Sequence, residues 1–337
     1  MWHADDRIDV RSVCLISLRS LKLLPIEEDS PALAGTENDY PNKYIRLILP
    51  FPPGGGVDTL ARILGSQLKT QLGQQIIIDN RPGADGNVAT MLAAKAAPDG
   101  YALLLGFTTE LCVNPALYPD LSVNVEKAFE PITLLAESAF ILAVNPSLPV
   151  QSVKDLIAYA KAHPGKLNFS SGGIGSPLHL AAALFALDEG LNIVHLPFKG
   201  GAPAVLAVLN GEAQMIFASP PSSLAQIRAG KLRPLAVTGL KRSRFLPDLP
   251  TMNESGLPGF DVTSWQCMLA PAGTPKAIIN TLRDNLLKAI ATPDVQKSME
   301  HEGLTPLTST PVELSQRITA ETAAWAEAIK RMGLKPR

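Results

Sequence analysis

The sequence predicts an α/β protein built as two lobes, and three observations lead to this fold class. From residue 44 onward, short apolar segments alternate with segments of helical periodicity, which is typical of mainly parallel sheets flanked by helices. The chain of 337 residues is longer than one hydrophobic core usually supports, so two domains are expected. Proline-marked extended segments at 143–152 and 257–265 separate one α/β series from the next.

Eight short apolar segments are predicted as strands. They are YIRLILPF (44–51), QQIIIDN (74–80), YALLLGF (101–107), FILAVN (140–145), KLNFSS (166–171), NIVHLPF (192–198), AQMIFAS (213–219) and LRPLAVTG (232–239). With a hinge at the two extended segments, we expect residues 43–143 and 264–337 to form lobe 1 and residues 144–263 to form lobe 2. A ligand cleft between the lobes follows from this arrangement.

The intervening helices are predicted by their ends. A serine or threonine before a proline supplies a capping hydroxyl and a suitable first helical residue. This pair occurs at Ser176-Pro177, Thr274-Pro275, Thr292-Pro293 and Thr310-Pro311, and Gly303 and Gly333 are expected to close two helices. In the first helix an apolar stripe predicts packing on a sheet; its residues are Val57, Ala61, Leu64, Leu68 and Leu72.

Composition excludes several classes of function. Thirty basic and 31 acidic residues give a net charge of −1, and no basic run provides the charge that nucleic acid binding requires. No apolar stretch of membrane-spanning length occurs, so direct membrane insertion is not expected. The cysteines, at 14, 112 and 267, lack zinc-site spacing, so no metal or cofactor is predicted. Cys112 and Cys267 are either buried free thiols or, in an oxidising compartment, a disulfide.

Residues 1–42 are interpreted separately, as an atypical leader or a disordered N-terminus. The apolar stretch SVCLISLRSLKLLP is interrupted by Arg19 and Lys22, whereas an export signal has an unbroken apolar region after a basic start. Small residues near Ala34 nevertheless offer a cleavage site. We therefore expect a mature chain that begins between residues 35 and 41.

The segment PFPPGGGVD (50–58, the first loop) leads from a strand into a helix and is a candidate anion site. The first N–H groups of a helix have no partner within it, and glycines allow a ligand to approach the main chain. The phosphate-loop and dinucleotide patterns are both absent. A tight turn with a purely structural role is the alternative, and Asp58 suits it because a carboxylate in the first turn favours the helix dipole.

Three further segments are expected at the same cleft. The second loop (170–179, SSGGIGSPLH) again leads from a strand to a helix, and its helix N-terminus can face that of the first loop. His179 is either a packing residue or a ligand contact. Lys199, in PFKGG, is either a counter-ion or a solvated lysine. Thr108 and Thr109 follow a strand and can face the cleft.

Local patterns of catalytic residues are absent. There is no GxSxG or HExxH motif, and the histidines at 3, 163, 179, 195 and 301 form no cluster in the sequence. An enzyme assembled from scattered residues stays an alternative at this point.

Several segments together resemble the substrate-binding receptors of tripartite tricarboxylate transporters, also called the Bug or TctC-like family. They are YPNKYIRLILPFPPGGGVDTLARIL, IIIDNRPGADGNVAT, AAPDGYALLLG, GSPLHLA, VHLPFKGGAPAV and LPTMNESGLPGFDVTSWQCMLAPAGTP, within residues 41–333. The resemblance implies a type II periplasmic binding protein without catalytic activity. Such a receptor captures a small organic carboxylate, which is a di- or tricarboxylate, an amino-acid-like acid or an aromatic acid, and delivers it to a membrane permease. A sensor or an enzyme that acts on a carboxylate in the same cleft is the alternative.

The resemblance also implies which residues contact the ligand. Family members hold a carboxylate mainly through backbone groups and bridging waters of the two glycine-containing loops. The matching residues of the first loop are Phe51, Pro53, Gly54, Gly55 and Asp58. Those of the second loop are Ser171, Gly172, Gly175, Ser176 and His179. Phe198, Lys199 and Gly200 match a loop at the cleft edge, and Ala218 and Ser219 follow a strand that reaches it. The receptor is expected to act as a periplasmic monomer.

Overall fold

The structure is a computed structural model and describes residues 40–54, 56–121 and 123–334. In these ranges the strands are β1 (Ile45–Leu49), β2 (Ile76–Asn80), β3 (Ala102–Phe107), β4 (Phe129–Ala139), β5 (Ile141–Val144), β6 (Asn168–Ser171), β7 (Val194–Pro197), β8 (Met215–Ala218), β9 (Arg233–Val237), β10 (Thr263–Pro271) and β11 (Thr305–Pro306). The α-helices are α1 (Gly56–Leu72), α2 (Asn87–Ala94), α3 (Asn114–Leu117), α4 (Val125–Ala128), α5 (Val153–Ala162), α6 (Pro177–Glu189), α7 (Gly201–Leu209), α8 (Pro220–Arg228), α9 (Lys276–Ala291), α10 (Pro293–His301) and α11 (Pro311–Arg331).

All eight predicted strands are present, as β1 to β3 and β5 to β9. The structure adds β4, β10 and β11. Because β4 and β10 are buried at most positions, their sequences lack the polar alternation that marks a half-exposed strand. The segment 257–265, which was interpreted as a crossing, contains the first residues of β10.

The strands form two sheets, with the orders β11-β4-β10-β3-β1-β2 and β7-β6-β8-β5-β9. In the first sheet β1 pairs in parallel with β2 and β3, whereas β10 is antiparallel to β3 and β4. In the second sheet β6 is parallel to β7 and β8, whereas β5 is antiparallel to β8 and β9. The α/β class is confirmed, but the sheets are mixed rather than mainly parallel.

Two of the antiparallel strands, β5 and β10, follow a change of sheet, whereas β11, which is antiparallel to β4, does not. Only Phe140 separates β4 of the first sheet from β5 of the second, and β9 of the second sheet precedes β10 of the first. A chain that runs directly from one sheet into the other enters it at the edge where the parallel strands end. It therefore runs antiparallel to them. Local strand and helix patterns contain no information about this direction.

One threonine forms hydrogen bonds at both places where the chain passes from one sheet to the other. The Thr238 hydroxyl donates to the Val262 carbonyl oxygen at 2.5 Å and accepts the Phe140 N–H at 2.9 Å. Phe140 and Val262 are the residues beside β5 and β10, so Thr238 ties both chain crossings together. The chain already joins the second sheet at β5, a few residues before the predicted segment 143–152.

Helices cover both faces of each sheet. On the first sheet one face packs against α1 and α9, with Leu60, Leu64, Leu282 and Leu286 fully buried, and the other packs against α2 and α11. On the second sheet one face packs against α5 and α6 and the other against α7 and α8. The predicted stripe of α1 is buried at Val57, Ala61, Leu64 and Leu68 and partly buried at Leu72, as expected.

Two of the four predicted caps are confirmed. The Ser176 hydroxyl accepts the His179 N–H at 3.3 Å, and Thr310 forms a capping box with Glu313. The other two threonines do not cap with their side chains, because the Thr274 and Thr292 hydroxyls each donate to a carbonyl of the preceding turn, at Pro271 and Ala289. Gly303 and Gly333 follow α10 and α11 with positive φ, as predicted.

The remaining expectations concern the N-terminal segment, the cysteines, membrane-spanning helices and metal sites. The predicted leader, Cys14 and the expected cleavage region lie outside the described residues. Cys112 and Cys267 are buried free thiols. None of the helices in the described ranges combines the length and the apolar character needed to cross a membrane. The same ranges contain no group of three or more His, Cys, Asp or Glu residues that could hold a metal ion.

Candidate functional site

The first loop connects β1 to α1 and exposes its main chain. Pro53 and Gly54 are exposed, and Gly54 has a φ of +89°, which favours glycine. Gly55 lies outside the described residues. Phe51 is half-buried, with its ring 5.3 Å from the ring of Phe107 at the end of β3. The loop therefore starts from an aromatic pair and enters α1 with accessible backbone groups.

Asp58 holds the first loop in place. Its buried carboxylate accepts the Gly54 N–H at 3.0 Å, two bonds from Arg62 at 2.8 and 3.0 Å, and one from Asn80 at 3.1 Å. Burial by itself would raise the pKa of Asp58, but the hydrogen bonds from Arg62, Gly54 and Asn80 hold it below its usual range. The carboxylate is thus neutralised within its own loop and helix. This arrangement suits a residue that fixes the loop rather than one that contacts an anion.

The second loop begins at the end of β6 and is ordered by a serine and two histidines. The Ser171 hydroxyl lies 2.7 Å from His195 Nε2 and accepts the Gly173 N–H at 3.1 Å. The Gly175 N–H donates to His179 Nδ1 at 3.1 Å, so that nitrogen is unprotonated. The Ser176 cap completes the turn. Every support of this loop is electrically neutral.

His195 is a site residue that the sequence reasoning missed. Its ring stacks on His179 with a centroid distance of 4.2 Å and on Phe169 at 4.7 Å. The expectation that the histidines form no cluster holds along the sequence but fails in space, because β6 and β7 pair Phe169 with His195. Burial lowers the pKa of His195. In the sequence, the only signal was that His195 lies in the predicted strand NIVHLPF, which is the next strand after KLNFSS.

The third loop, residues 198–201, packs its backbone directly on the second. The Phe198 N–H donates to the Ser171 carbonyl at 2.9 Å and the Gly200 N–H to that of Gly172 at 3.2 Å. A Cβ on Gly172 would lie 3.3 Å from the Gly200 carbonyl carbon, so glycine permits this approach. Lys199 is exposed, and its ammonium group has no ion pair among the described residues. The structure thus brings the second and third loops together.

The remaining predicted residues differ in how accessible they are. Ala218 is fully buried at the end of β8, and Ser219 directs its hydroxyl to Ser222 at 2.9 Å. Thr108 is also buried, and its hydroxyl accepts the Trp265 N–H at 2.9 Å. Thr109 is buried with no hydrogen-bond partner for its hydroxyl in the described part of the chain. The structure thus assigns Thr108 a contact with β10 rather than with a cleft.

The loops of the two sheets approach one another through a small apolar cluster. Val113 and Leu117, in the π-helical turn 109–113 and in α3, pack with Leu180 of α6 and Ile329 of α11. Leu180 follows His179, and Val113 lies four residues after Thr109. The end of β3 and the start of α6 are therefore neighbours in space. Parallel strands of both sheets end beside this contact, where open α/β sheets place their ligands.

Comparison with known proteins gives a consistent result. Residues 60–334 match the family model described as the tripartite tricarboxylate transporter family receptor, TctC. The protein BugT of Bordetella pertussis is 37% identical over 297 residues, which cover 88% of this chain and 91% of BugT. The family match begins after the first loop and includes the second and third loops and all strands of the second sheet.

Three solved structures have the same fold. Rpa4515 of R. palustris, solved with adipate, has a TM-score of 0.80 and 34% identity and covers 89% of this chain and 100% of its own. The periplasmic binding protein BugD has a TM-score of 0.77 and 33% identity, with coverages of 88% and 100%. MatC of Rhodopseudomonas palustris, solved with bound malate, has a TM-score of 0.74 and 30% identity, with coverages of 86% and 100%.

Proposed function

Because this chain belongs to the tripartite tricarboxylate transporter receptor family, we propose that it binds a small organic dicarboxylate between its loops and delivers it to a membrane permease. Members of the family are substrate-binding receptors, so the chain is a receptor and not an enzyme. Two neighbours in structure were solved with adipate and malate, which supports a dicarboxylate as the ligand class.

One observation carries the mode of binding. The loops at the ends of β1 and β6 each lead into a helix N-terminus, and their supporting side chains are already satisfied within the protein. Asp58 is neutralised by Arg62, and the two histidines are neutral in their hydrogen bonding and stacking. The donors proposed for a ligand carboxylate are therefore the backbone N–H groups of the two loops other than those of Gly54, Gly173 and Gly175, which already donate within the protein. The predicted contact residues of the first, second and third loops are retained in this proposal, with Asp58 in a supporting role.

The proposal includes closure of two lobes around the ligand. Each sheet with its helices is one lobe, and Phe140, Thr238 and Val262 are the proposed hinge because both changes of sheet pass through them. Small-angle scattering is expected to show a smaller radius of gyration when ligand is added. An unchanged radius at saturation would contradict a moving hinge.

Receptors of this family are periplasmic, and we propose the same compartment for this chain. Export requires a leader that is cleaved or absent from the mature protein, so the mature chain is expected to start between residues 35 and 41. N-terminal sequencing of the protein from its native cell tests this. An intact Met1 in the cytosolic fraction would contradict it.

The direct test of function uses the purified full-length chain. Calorimetry with malate, adipate and the matching monocarboxylates is expected to show saturable binding of at least one dicarboxylate. Mass spectrometry of the mixture should recover that acid unchanged, because a receptor does not transform its ligand. The proposal would be overturned if none of these carboxylates bound, or if the bound acid were converted stoichiometrically into a product.

A further inference from the structure

A buried carboxyl group lies beneath the first loop and has no part in the contacts described so far. Glu110, in the π-helical turn after β3, is 1% exposed. Its Oε1 accepts the Phe107 N–H at 2.5 Å. Its Oε2 has no hydrogen-bond partner in the described part of the chain. An ionised carboxylate in such a place would lack the pairing that buried charges require.

Glu110 packs against residues that support the first loop. A Cβ on Gly86 would lie 3.1 Å from the Glu110 Cβ, 3.3 Å from its Oε2 and 3.0 Å from the Pro50 Cβ. Gly86 is therefore held between Glu110 and Pro50, which begins the first loop. On the other side, Glu110 binds the backbone of Phe107, whose ring contacts Phe51. The carboxyl group thus supports Pro50 through Gly86 and Phe51 through Phe107.

The turn that contains Gly86 is strained. Ala84 and Asp85 have φ values of +46° and +52°, which side chains other than glycine rarely adopt. Asn114 holds the turn by donating to the Asp85 carbonyl at 2.9 Å and to Asn87 Oδ1 at 2.8 Å, and the Tyr118 hydroxyl binds the Asp85 carboxylate. A strained turn depends on its surroundings, so a new charge beside it would shift it readily.

The groups that face Glu110 do not stabilise its anion. Cys112 of the same turn and Cys267 of β10 are thiols whose pKa values are raised, mainly by burial and also by the nearby Glu110. Arg317 and Glu321 of α11 form an ion pair with each other at 2.7 Å. Burial raises the pKa of Glu110 to about 8, against the opposing effect of the Phe107 N–H. The neutral acid is therefore the form at neutral pH.

We infer that Glu110 is a positioning residue whose proton keeps the first loop in its binding geometry, so that ligand affinity falls when this proton is lost. The inference rests on the proposed function. A bound dicarboxylate places negative charge near the same end of β3, which disfavours the Glu110 anion further. Ligand binding and protonation of Glu110 thus favour each other.

The test compares the full-length wild type with Glu110→Gln, which keeps the shape and the acceptor but cannot ionise. The ligand is the tighter binder of malate and adipate, titrated from pH 6.5 to 9. The variant is expected to bind within about threefold of the wild type at pH 6.5. Wild-type affinity should then fall by up to about tenfold per pH unit above pH 8 while that of the variant stays flat. Glu327→Gln, at an exposed position of α11, serves as the matched control and should follow the wild type.

A second measurement separates this inference from the proposed function. Hydrogen exchange of the amides of residues 83–88 in ligand-free protein should accelerate above pH 8 more in the wild type than in Glu110→Gln, after correction for intrinsic exchange. If no acid binds, the proposed function fails while exchange still tests Glu110. Equal pH profiles of the wild type and Glu110→Gln in either measurement would overturn the inference. So would loss of binding at pH 6.5 in a folded Glu110→Gln variant.

Discussion

The first and second loops present helix N-termini in the same way but are supported by different chemistry. In the first sheet an ionised carboxylate, Asp58, ties the loop to α1, and the buried acid Glu110 lies beneath it. In the second sheet serine hydroxyls and two stacked imidazoles support the loop. We therefore expect two loops of similar shape to respond to pH in opposite directions. Alkali should weaken the first loop through Glu110, and acid should weaken the second through His195.

The largest expected effect is on the first loop. Asp58→Ala leaves donors of Gly54, Arg62 and Asn80 without their acceptor and should lower the free energy of unfolding by about 3 kcal/mol. Ligand affinity should fall at least about tenfold, because the exposed main chain loses its anchor. Urea unfolding and calorimetry measure the two effects. Arg62→Met is the control, because the Asp58 carboxylate then keeps its hydrogen bonds from Gly54 and Asn80. A smaller effect of Arg62→Met than of Asp58→Ala would show that loop anchoring outweighs the exposed ion pair. Wild-type stability in Asp58→Ala would contradict the role of Asp58.

The second prediction concerns stability at alkaline pH. The pKa of Glu110 is raised from its usual 4.5 to about 8 in the folded chain, so the unfolded chain ionises first. The contribution of Glu110 is fully present below pH 4.5 and is lost as pH rises through 8. Between pH 5 and 8, the free energy of unfolding of Glu110→Gln should therefore rise relative to that of the wild type by on the order of 2 kcal/mol. Urea titrations at both pH values test this, and a constant difference would show that Glu110 does not titrate in this range.

The third prediction separates a cap in the site from a cap elsewhere. Ser176→Ala and Thr310→Ala each remove a capping hydroxyl and should each cost about 1 kcal/mol of stability. Only Ser176→Ala should also weaken ligand binding, because α6 starts at the second loop whereas α11 starts elsewhere. Equal affinities in the two variants would argue against the N-terminus of α6 as part of the site.

The smallest effect is expected at acidic pH in the second loop. Burial lowers the pKa of His195, so the unfolded chain takes up the proton first as pH falls below about 6.5. The contribution of neutral His195 is present above that pH and is lost below it. His195→Gln should lose less stability than the wild type between pH 7 and 5 in thermal unfolding. His163→Gln, at an exposed position of α5's end, is the matched control and should resemble the wild type. An identical acid response in His195→Gln would contradict this role.

Local sequence patterns predicted the features that depend only on residues close together in the sequence. The Ser176 cap, the apolar stripe of α1 and eight strands each depend on a few consecutive residues. Glu110, His195 and the direction of β10 depend on which strands become neighbours, and that is decided by packing across the sheets. His195 meets Ser171 only because β6 and β7 align, and Glu110 meets Gly86 only because β3 lies beside β1. The family resemblance supplied the loops and several of the residues that support them, such as Asp58 and His179, but not Glu110 or His195.

In the proposed function, backbone N–H groups rather than a lysine recognise the charge of the ligand. The most direct measurement compares, by calorimetry, the better-binding dicarboxylate of malate and adipate with its diamide, and the wild type with Lys199→Met. Charge-assisted hydrogen bonds contribute about 1.5–3 kcal/mol each, so the diamide should bind at least about tenfold more weakly. Lys199→Met should change affinity by less than about threefold, since its ammonium group is exposed. Equal binding of diamide and acid, together with loss of binding in Lys199→Met, would contradict the claim.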